Sequence, residues 1–392
     1  MKKISSGSKK SKGRVFVGIS GGVDSSVSAT LLQKEGYEVT GVFMKVWQPD
    51  FLPCTWREER LDAMRVCAHL GIQLLTWDFE REYKDGVADY MINEYRAGRT
   101  PNPDVMCNRE VKFGSFFRRA ISGGADFIAT GHYAQATLDK KNDVFVMKKG
   151  VDDAKDQSYF LWTLGQEQLS KTLFPIGGYK KSQVRALARK FGLPVAEKKD
   201  SQGLCFVGKL DMKDFLAHFI DEKEGSVLDE TGETIGMHRG AYFYTLGERH
   251  GFTVTKKGAD DAPYYVVAKD LTANTITVAR QTKKYPESAR KDIKISQINF
   301  CRGILPDTKK TYTAQVRYHG EKYECKITDL VYVQDACPDF VQDVNLLIQA
   351  LVTRQLIRGT FSLHFKKPVI ADAGQSVVLY DCEKCLGGGI IE

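Results

Sequence analysis

Short apolar runs alternate with amphipathic stretches through roughly the first half of the chain. Val15-Phe16-Val17-Gly18-Ile19 predicts a buried strand. Asp24 to Glu35 predicts a helix with Val27, Ala29, Leu31 and Leu32 at its apolar positions. Strands follow at Tyr37 to Met44 and Ile72 to Trp77, with helices over 58–70 and about 81–97. Asp126 to Thr130 predicts another strand, which runs into Gly131-His132. Strand and helix in alternation imply an α/β fold with a parallel sheet covered by helices on both faces. Such sheets take their ligands beyond the carboxyl ends of the strands.

The pattern changes after about Gly208. One more helix is expected within 209–222. Ala241 to Tyr244, Pro263 to Ala268 and Thr275 to Ala279 then read as short antiparallel strands between Gly, Asn and Asp. The charged stretch 280–291 reads as a linker. Strands are expected at Tyr312 to Tyr318, Lys322 to Ile327 and Ser376 to Tyr380, and a helical stretch at Val341 to Arg358.

Composition narrows the classes. The 392 residues suit two to three domains at ~150 residues each. Apolar residues at 42% and charged residues at 27% exclude a mainly disordered or collagen-like chain. No run of ~18 apolar residues suggests a membrane span. The opening MKKISSGSKKSKGR has no apolar core, so it is expected to be a basic tail rather than a secretory signal. A net charge of +8 leans toward polyanions without identifying one. Nine cysteines in a long chain suit a reducing compartment and a cytoplasmic location, and the odd count leaves at least one thiol unpaired.

The sharpest local chemistry is Ser20-Gly21-Gly22-Val23-Asp24-Ser25-Ser26, between a predicted strand and a predicted helix. Glycines let the backbone approach a phosphate, and a helix N-terminus points N–H groups at it. Ser20, Ser25 and Ser26 add hydroxyls. Asp24 either caps the helix or helps hold a divalent ion. The motif is neither GxxxxGK[ST] nor GxGxxG. From the residues alone, a Gly-rich turn with a polar cap is the plainer alternative. In this context the loop resembles the pyrophosphate-binding loop of the ATP pyrophosphatases, whose shared chemistry is adenylation.

Two further segments carry cysteines. Gly98 to Arg109 contains Pro101, Pro103, Asp104 and Cys107, and its prolines predict a stiff, non-helical loop. Asp200 to Gly208 contains Cys205. Arg109 and Lys112 follow Cys107 in the chain, and Lys198 and Lys199 precede Cys205; cations favour the thiolate. From spacing alone, both thiols also read as ordinary core cysteines.

SGGVDSSV, GVFMKVW, GRTPNPDVMCN, ATGHYA, KDQSYFLW and DSQGLCFVG occur in this order, and AGQSVVLYDCEKCLGGGII closes the chain. The set, from Val15 to Ile391, resembles the bacterial-type tRNA-specific 2-thiouridylases. The resemblance implies a basic disordered tail over 1–13 and an ATP pyrophosphatase domain of HUP-like fold over 14–208. It implies a small central α+β domain over 209–285 and a C-terminal tRNA-binding β-barrel over 286–392, with a helical insertion near 335–360. It also implies ATP and Mg²⁺, a tRNA with a wobble uridine, a sulfur-donor protein and no membrane. Gly18, Ile19, Ser20, Gly21, Gly22, Val23, Asp24 and Ser25 would cradle ATP, with Met44 and Gly131 beside the nucleotide. Asn102, Pro103 and Asp104 would face the target base. His132, Lys155, Asp156, Gln157, Arg317, Tyr318 and Gln375 would contact tRNA. Cys205 would carry a persulfide, and Cys107 would be the nucleophile that leaves a transient Cys107–Cys205 disulfide. Free hydrosulfide as the attacking sulfur stays open, as does Asp104 as a turn cap and Arg317 as a solvated side chain.

The chain departs from the family at Gln202 and Leu204, where Thr and Ile are usual, and at Glu248 of Leu246-Gly247-Glu248-Arg249, where an amide is usual. Cys382 and Cys385 resemble half a zinc site, with turn thiols the simpler reading. Two other functions fit the loop: an adenylating amidotransferase or ligase that needs no thiols, and an inactive RNA-binding protein.

Overall fold

A computed structural model describes residues 11–200, 212–255, 262–280, 289–332 and 359–392. The chain forms two compact units. One comprises residues up to Lys84 together with Cys107–Phe206, the other Asp85–Met106 together with Val207–Glu392.

The first unit is built on five parallel strands: β1 (Arg14–Gly18), β2 (Glu38–Lys45), β3 (Leu74–Asp78), β4 (Phe127–Ala129) and, after the antiparallel hairpin β5 (Ala134–Asp139) and β6 (Val144–Lys149), β7 (Thr172–Leu173). Their order is β3-β2-β1-β4-β7, and every pairing is parallel. Helices α1 (Val23–Glu35) and α2 (Trp56–Leu70) supply crossovers. Val15, Val17, Ala29, Phe43, Ala63 and Ala129 are buried together, so the apolar strands and the small-residue face of α1 close one core. A second core joins Val23 and Val27 of α1 to Val184 and Ala188 of α3 (Lys181–Lys190). Gly36 ends α1 at φ 96°, where its N–H reaches the last carbonyls.

The second unit contains a five-stranded sheet and a barrel. The sheet comprises β8 (Gly225–Leu228), β9 (Thr234–His238), β10 (Thr253–Val254), β11 (Tyr264–Asp270) and β12 (Thr275–Arg280). Its order is β10-β9-β8-β12-β11; β11 with β12 is antiparallel as expected, and β8, which the sequence reading did not place, pairs parallel with β12. The barrel uses β13 (Arg290–Phe300), β14 (Tyr312–Gln315), β15 (Lys322–Tyr332), β16 (Gly359–Val369), β17 (Ser376–Asp381) and β18 (Lys384–Ile391). These six antiparallel strands run in the order β13-β16-β15-β14-β17-β18, and β13 pairs with β18 to close the ring. Ile293, Ile295, Phe361, Leu363, Phe365, Val377 and Leu379 alternate inward to fill it. Closure removes the exposed edges that an open sheet would present.

Four expectations need correcting. The segment after Thr100 is not an irregular loop. Pro103–Met106 is helical and Cys107–Ser115 continues as a π-helix. Pro103 stands at the first helical position, where a missing N–H costs nothing, and Asn102 Oδ1 accepts from Val105 N at 3.1 Å. The single helix expected over 81–97 is Glu80–Tyr83, a π-turn Lys84–Asp89 and Tyr90–Arg96. Ala241–Phe243 is a 3-10 turn rather than a strand, entered through Gly240 at φ 138°. The expected 209–222 helix spans Met212–Ala217 among the described residues. The linker core 281–288, the helical stretch 341–358 and Cys205 lie outside the described residues. Among the described residues, no helix is long and apolar enough to cross a membrane.

Phe361 is fully buried in the barrel, its ring 6.0 Å from that of Phe300. Phe361→Ala is expected to cost about 3–5 kcal/mol. Ile304 is 52% exposed, and Ile304→Ala is expected to stay within about 0.5 kcal/mol. Urea titration followed by circular dichroism checks both.

Candidate nucleotide loop and thiol segment

β1 ends at Gly18 and α1 begins at Val23, so residues 19–22 lie at the carboxyl end of the parallel sheet. Gly21 adopts φ 72°, and a Cβ there would stand 2.5 Å from Glu59 O. Only glycine fits this turn. Gly131, just beyond β4, brings its backbone against the start of α1: a Cβ would stand 2.8 Å from Ser25 N. Met44 folds over Gly18, whose Cβ would meet its Cε at 2.9 Å. Gly18, Met44, Gly131 and the serine loop, far apart in sequence, therefore converge.

The loop holds its own shape through hydroxyls. Ser20 N donates to Ser25 Oγ at 3.3 Å, and Ser26 Oγ donates to Gly22 O at 2.7 Å. Gly22 is the residue before the helix and makes no side-chain cap. Asp24 does not cap it either. Its carboxylate takes Lys181 Nζ at 2.8 Å on each oxygen and the Tyr133 hydroxyl at 2.9 Å.

Lys181 also lies 2.9 Å from Asp200 Oδ1, which takes Arg185 Nη2 at 2.6 Å, while Asp200 Oδ2 takes Lys155 Nζ at 3.3 Å. Burial works against ionisation of Asp200, but the Lys181 and Lys155 ammonium groups hold its carboxyl below the usual range. On the other side of the loop, Lys198 Nζ donates to Gly21 O at 3.1 Å and to Asp62 at 2.8 Å. Burial likewise opposes the Asp62 charge, and Lys198 and Arg65 outweigh it. Glu59, beside them, is shifted upward by burial. Lys198, expected from the sequence beside the Cys205 segment, bonds to the glycine loop.

Lys181, Arg185, Tyr133, Asp62 and Asp200 were not singled out as site residues from the sequence. Tyr133 and Asp200 fall within the quoted ATGHYA and DSQGLCFVG segments, but no motif marks Asp62, Lys181 or Arg185. Lys181 opens a helix more than 150 positions from Asp24, and only the packing of α3 on α1 joins them.

Cys107 is 3% exposed at the start of the π-helix. Its neighbour Asn108 donates Nδ2 to Phe160 O at 3.2 Å. Asn108 Oδ1 is buried without a hydrogen-bond partner. Arg109 Nε is 2.7 Å from Glu110 Oε1, so this cation is engaged next door. His132 is 7% exposed, between Phe113 and Phe174, with Nδ1 2.8 Å from Thr130 Oγ1. Burial, then the nearby Lys112 charge, pushes its pKa well down, so the ring is neutral. Asp156 accepts from Gly150 N, Ser158 N and Ser158 Oγ, and burial shifts its carboxyl upward. Gln157 pairs with the Tyr133 backbone in both directions.

In the other unit, Arg317 Nη2 donates to Leu246 O and packs on Gly247, at φ 80°. Glu248, the family-atypical carboxylate, accepts from Thr245 N at 3.0 Å and pairs with Lys213 at 2.7 Å. Its charge is used within the turn. The Tyr318 and His319 rings lie 3.9 Å apart, tilted at 59°, and Gln375 Oε1 takes Asp372 N at 3.5 Å. Cys382 is exposed at φ 53° in the β17–β18 turn, whereas Cys385 is buried.

Comparison with known proteins places this geometry in a family. Residues 13–209 match the family described as tRNA methyl transferase HUP domain, 213–280 its PRC-barrel domain and 347–391 the aminomethyltransferase β-barrel domain. The chain is 43% identical over 385 residues to tRNA-specific 2-thiouridylase MnmA of Thiobacillus denitrificans, covering 96% of this chain and 99% of that one. It is 41% identical to the protein of the same name from Enterococcus faecalis, covering 97% and 96%. Among solved structures it overlaps in part with the U34-tRNA thiolase NcsA of Methanococcus maripaludis. The identity there is 21%, over 54% of this chain and 65% of that one, with a TM-score of 0.32. With more than two-fifths of its residues shared along nearly the whole of both chains, the protein belongs to the tRNA-specific 2-thiouridylase family.

Proposed function

We propose that this enzyme thiolates the wobble uridine of tRNA at C2, using ATP to activate the C2 oxygen. The observation that carries the reading is the glycine–serine loop at the sheet's carboxyl end, closed by Gly131 and Met44 and flanked by Lys181 and Lys198. Backbone N–H groups at the start of α1 and nearby ammonium groups suit a triphosphate. Asp24 and Asp200 are oxygen donors of the kind Mg²⁺ takes and would hold it with the nucleotide.

The C2 oxygen attacks the α-phosphate, and pyrophosphate leaves. The uridine then carries AMP on its C2 oxygen, which turns a poor leaving group into a good one. A persulfide on Cys205, loaded by a sulfur-donor protein, supplies the sulfane sulfur. That sulfur bonds to C2, and the C–O bond breaks with AMP keeping the oxygen. Cys107 thiolate attacks Cys205 Sγ as the Sγ–sulfane bond breaks, leaving a Cys107–Cys205 disulfide for an external thiol to reduce. Sulfur reaches C2 either while still bound to Cys205 or as released hydrosulfide. A site that excludes water protects the adenylate, and the 3% exposure of Cys107 supports that role. The target base leaves its stack to reach such a site.

Asn102, Pro103 and Asp104 are assigned to the base. Lys155, with 43% of its side chain exposed, is assigned to the tRNA, together with Arg317, Tyr318 and Gln375. His132, which is buried, and Asp156 and Gln157, which are half-buried, fix the loops on which Gly131, Tyr133 and Lys155 stand.

The assay combines purified protein, ATP, Mg²⁺, a persulfide source and unmodified tRNA, with digestion to nucleosides and mass spectrometry. 2-Thiouridine is expected from the wild type. Cys107→Ser is expected to abolish it while ATP binding persists; normal thiolation by that variant would remove Cys107 from the mechanism. Lys181→Met is expected to raise the KM for ATP roughly tenfold or more, since it strips a buried cation from two carboxylates. An unchanged KM would refute its role at the nucleotide.

A further inference from the structure

The second unit contains a buried carboxylate that the reaction scheme leaves unused. Asp372 is 3% exposed. Its Oδ2 accepts from Thr100 Oγ1 at 2.9 Å, Lys269 Nζ at 2.9 Å and Leu246 N at 3.2 Å. The donors come from the segment before Pro101, from β11 and from the turn after Tyr244. A buried carboxylate is costly unless its oxygens are matched. Here one oxygen gathers a cation, a hydroxyl and an amide.

Thr100 is seated more firmly than a surface threonine. It is 7% exposed, its N–H donates to Ala373 O at 2.7 Å, and its hydroxyl lies 3.1 Å from Thr245 Oγ1. The backbone on either side admits no larger residue. Gly98 adopts φ 72°, and a Cβ there would stand 2.0 Å from Leu271 Cδ1. Gly374 adopts φ 88°, and a Cβ there would stand 3.0 Å from Thr100 N. Beyond Thr100 the chain reads Pro101-Asn102-Pro103, and the prolines fix two of the next three φ angles. Displacement of Thr100 is therefore passed on to Asn102, which caps the short helix bearing Asp104.

We propose that Asp372 is a positioning residue for thiolation: by holding Thr100 it sets where the Asn102–Asp104 segment meets the target uridine. This rests on the assignment of that segment to the base. Lys269 Nζ, 2.9 Å from the same oxygen, holds the carboxylate in place for the Thr100 hydroxyl. A barrel-end loop thereby controls the geometry of a segment some 270 positions earlier in the chain.

The test uses full-length Thr100→Val, which deletes the hydroxyl but leaves the Asp372–Lys269 pair and the Leu246 bond, and Thr100→Ser, which restores the hydroxyl. Single-turnover thiolation is measured at saturating tRNA, with the KM for ATP, the melting temperature and amide exchange over residues 98–106. Thr100→Val is expected to slow the thiolation step roughly 10- to 100-fold, the loss that a misplacement near 1 Å produces. The KM for ATP and the melting temperature stay at wild-type values, exchange over 98–106 accelerates, and Thr100→Ser recovers most of the rate. A wild-type rate in Thr100→Val, equal losses in both variants, or a rate loss that only follows a fallen melting temperature would each overturn the proposal. If the wild type itself forms no 2-thiouridine, the functional reading fails and this proposal falls with it. If only the variants match the wild type, the positioning role alone fails.

Discussion

Lys181 Nζ lies 2.8 Å from both oxygens of Asp24 and 2.9 Å from Asp200. One ammonium therefore ties the start of α1, through Asp24, to the residue that precedes the Cys205 segment. The cation is mostly buried, with 13% of its side chain exposed, and its removal would take the shared partner from two half-buried carboxylates. Tyr133 and Arg185 supply further donors to the same carboxylates. The loop itself has little to hold it open beyond serine hydroxyls and two glycine backbones. The ionic frame anchors the helix end that the loop leads into.

The frame and the sheet are consequences of one another. Parallel pairing of β1 with β4 brings Gly131 against Ser25, and the packing of α3 on α1 delivers Lys181 to Asp24. A side chain at Gly131 would force those backbones apart. The second unit uses a similar device around Asp372, where one buried carboxylate gathers three stretches of chain. Both units thus use a carboxylate paired to a lysine, half-buried at Asp24 and buried at Asp372, where segments distant in sequence must keep a fixed relation.

Several residues that the family resemblance assigns to tRNA do their visible work inside the protein. His132 is neutral and enclosed by Phe113 and Phe174. Gln157 pins the Tyr133 backbone, and Asp156 gathers the Gly150 and Ser158 amides. Glu248 does not stand as a bare charge, because Lys213 Nζ lies 2.7 Å from its carboxylate.

Apolar periodicity determined β1 to β4 of the first unit, since Val15, Val17 and their neighbours are buried whichever partner they find, but not the two-residue β7. The serine–glycine loop was legible too, because glycine spacing and a following helix are local properties. The family resemblance supplied the barrel. The hairpin of β5 and β6 and the long strands β13 and β16 escaped the sequence reading, because their apolar residues alternate weakly or lie among charges. The prolines of the Cys107 segment pointed to a loop; the structure uses Pro103 to start a helix instead, a choice made by the Asn102 cap. The partners of Asp24, Asp200 and Asp372 were decided only by tertiary structure. A charge carries no sign in sequence of which opposite charge it will meet, and burial, which makes that meeting obligatory, exists only once the chain has folded.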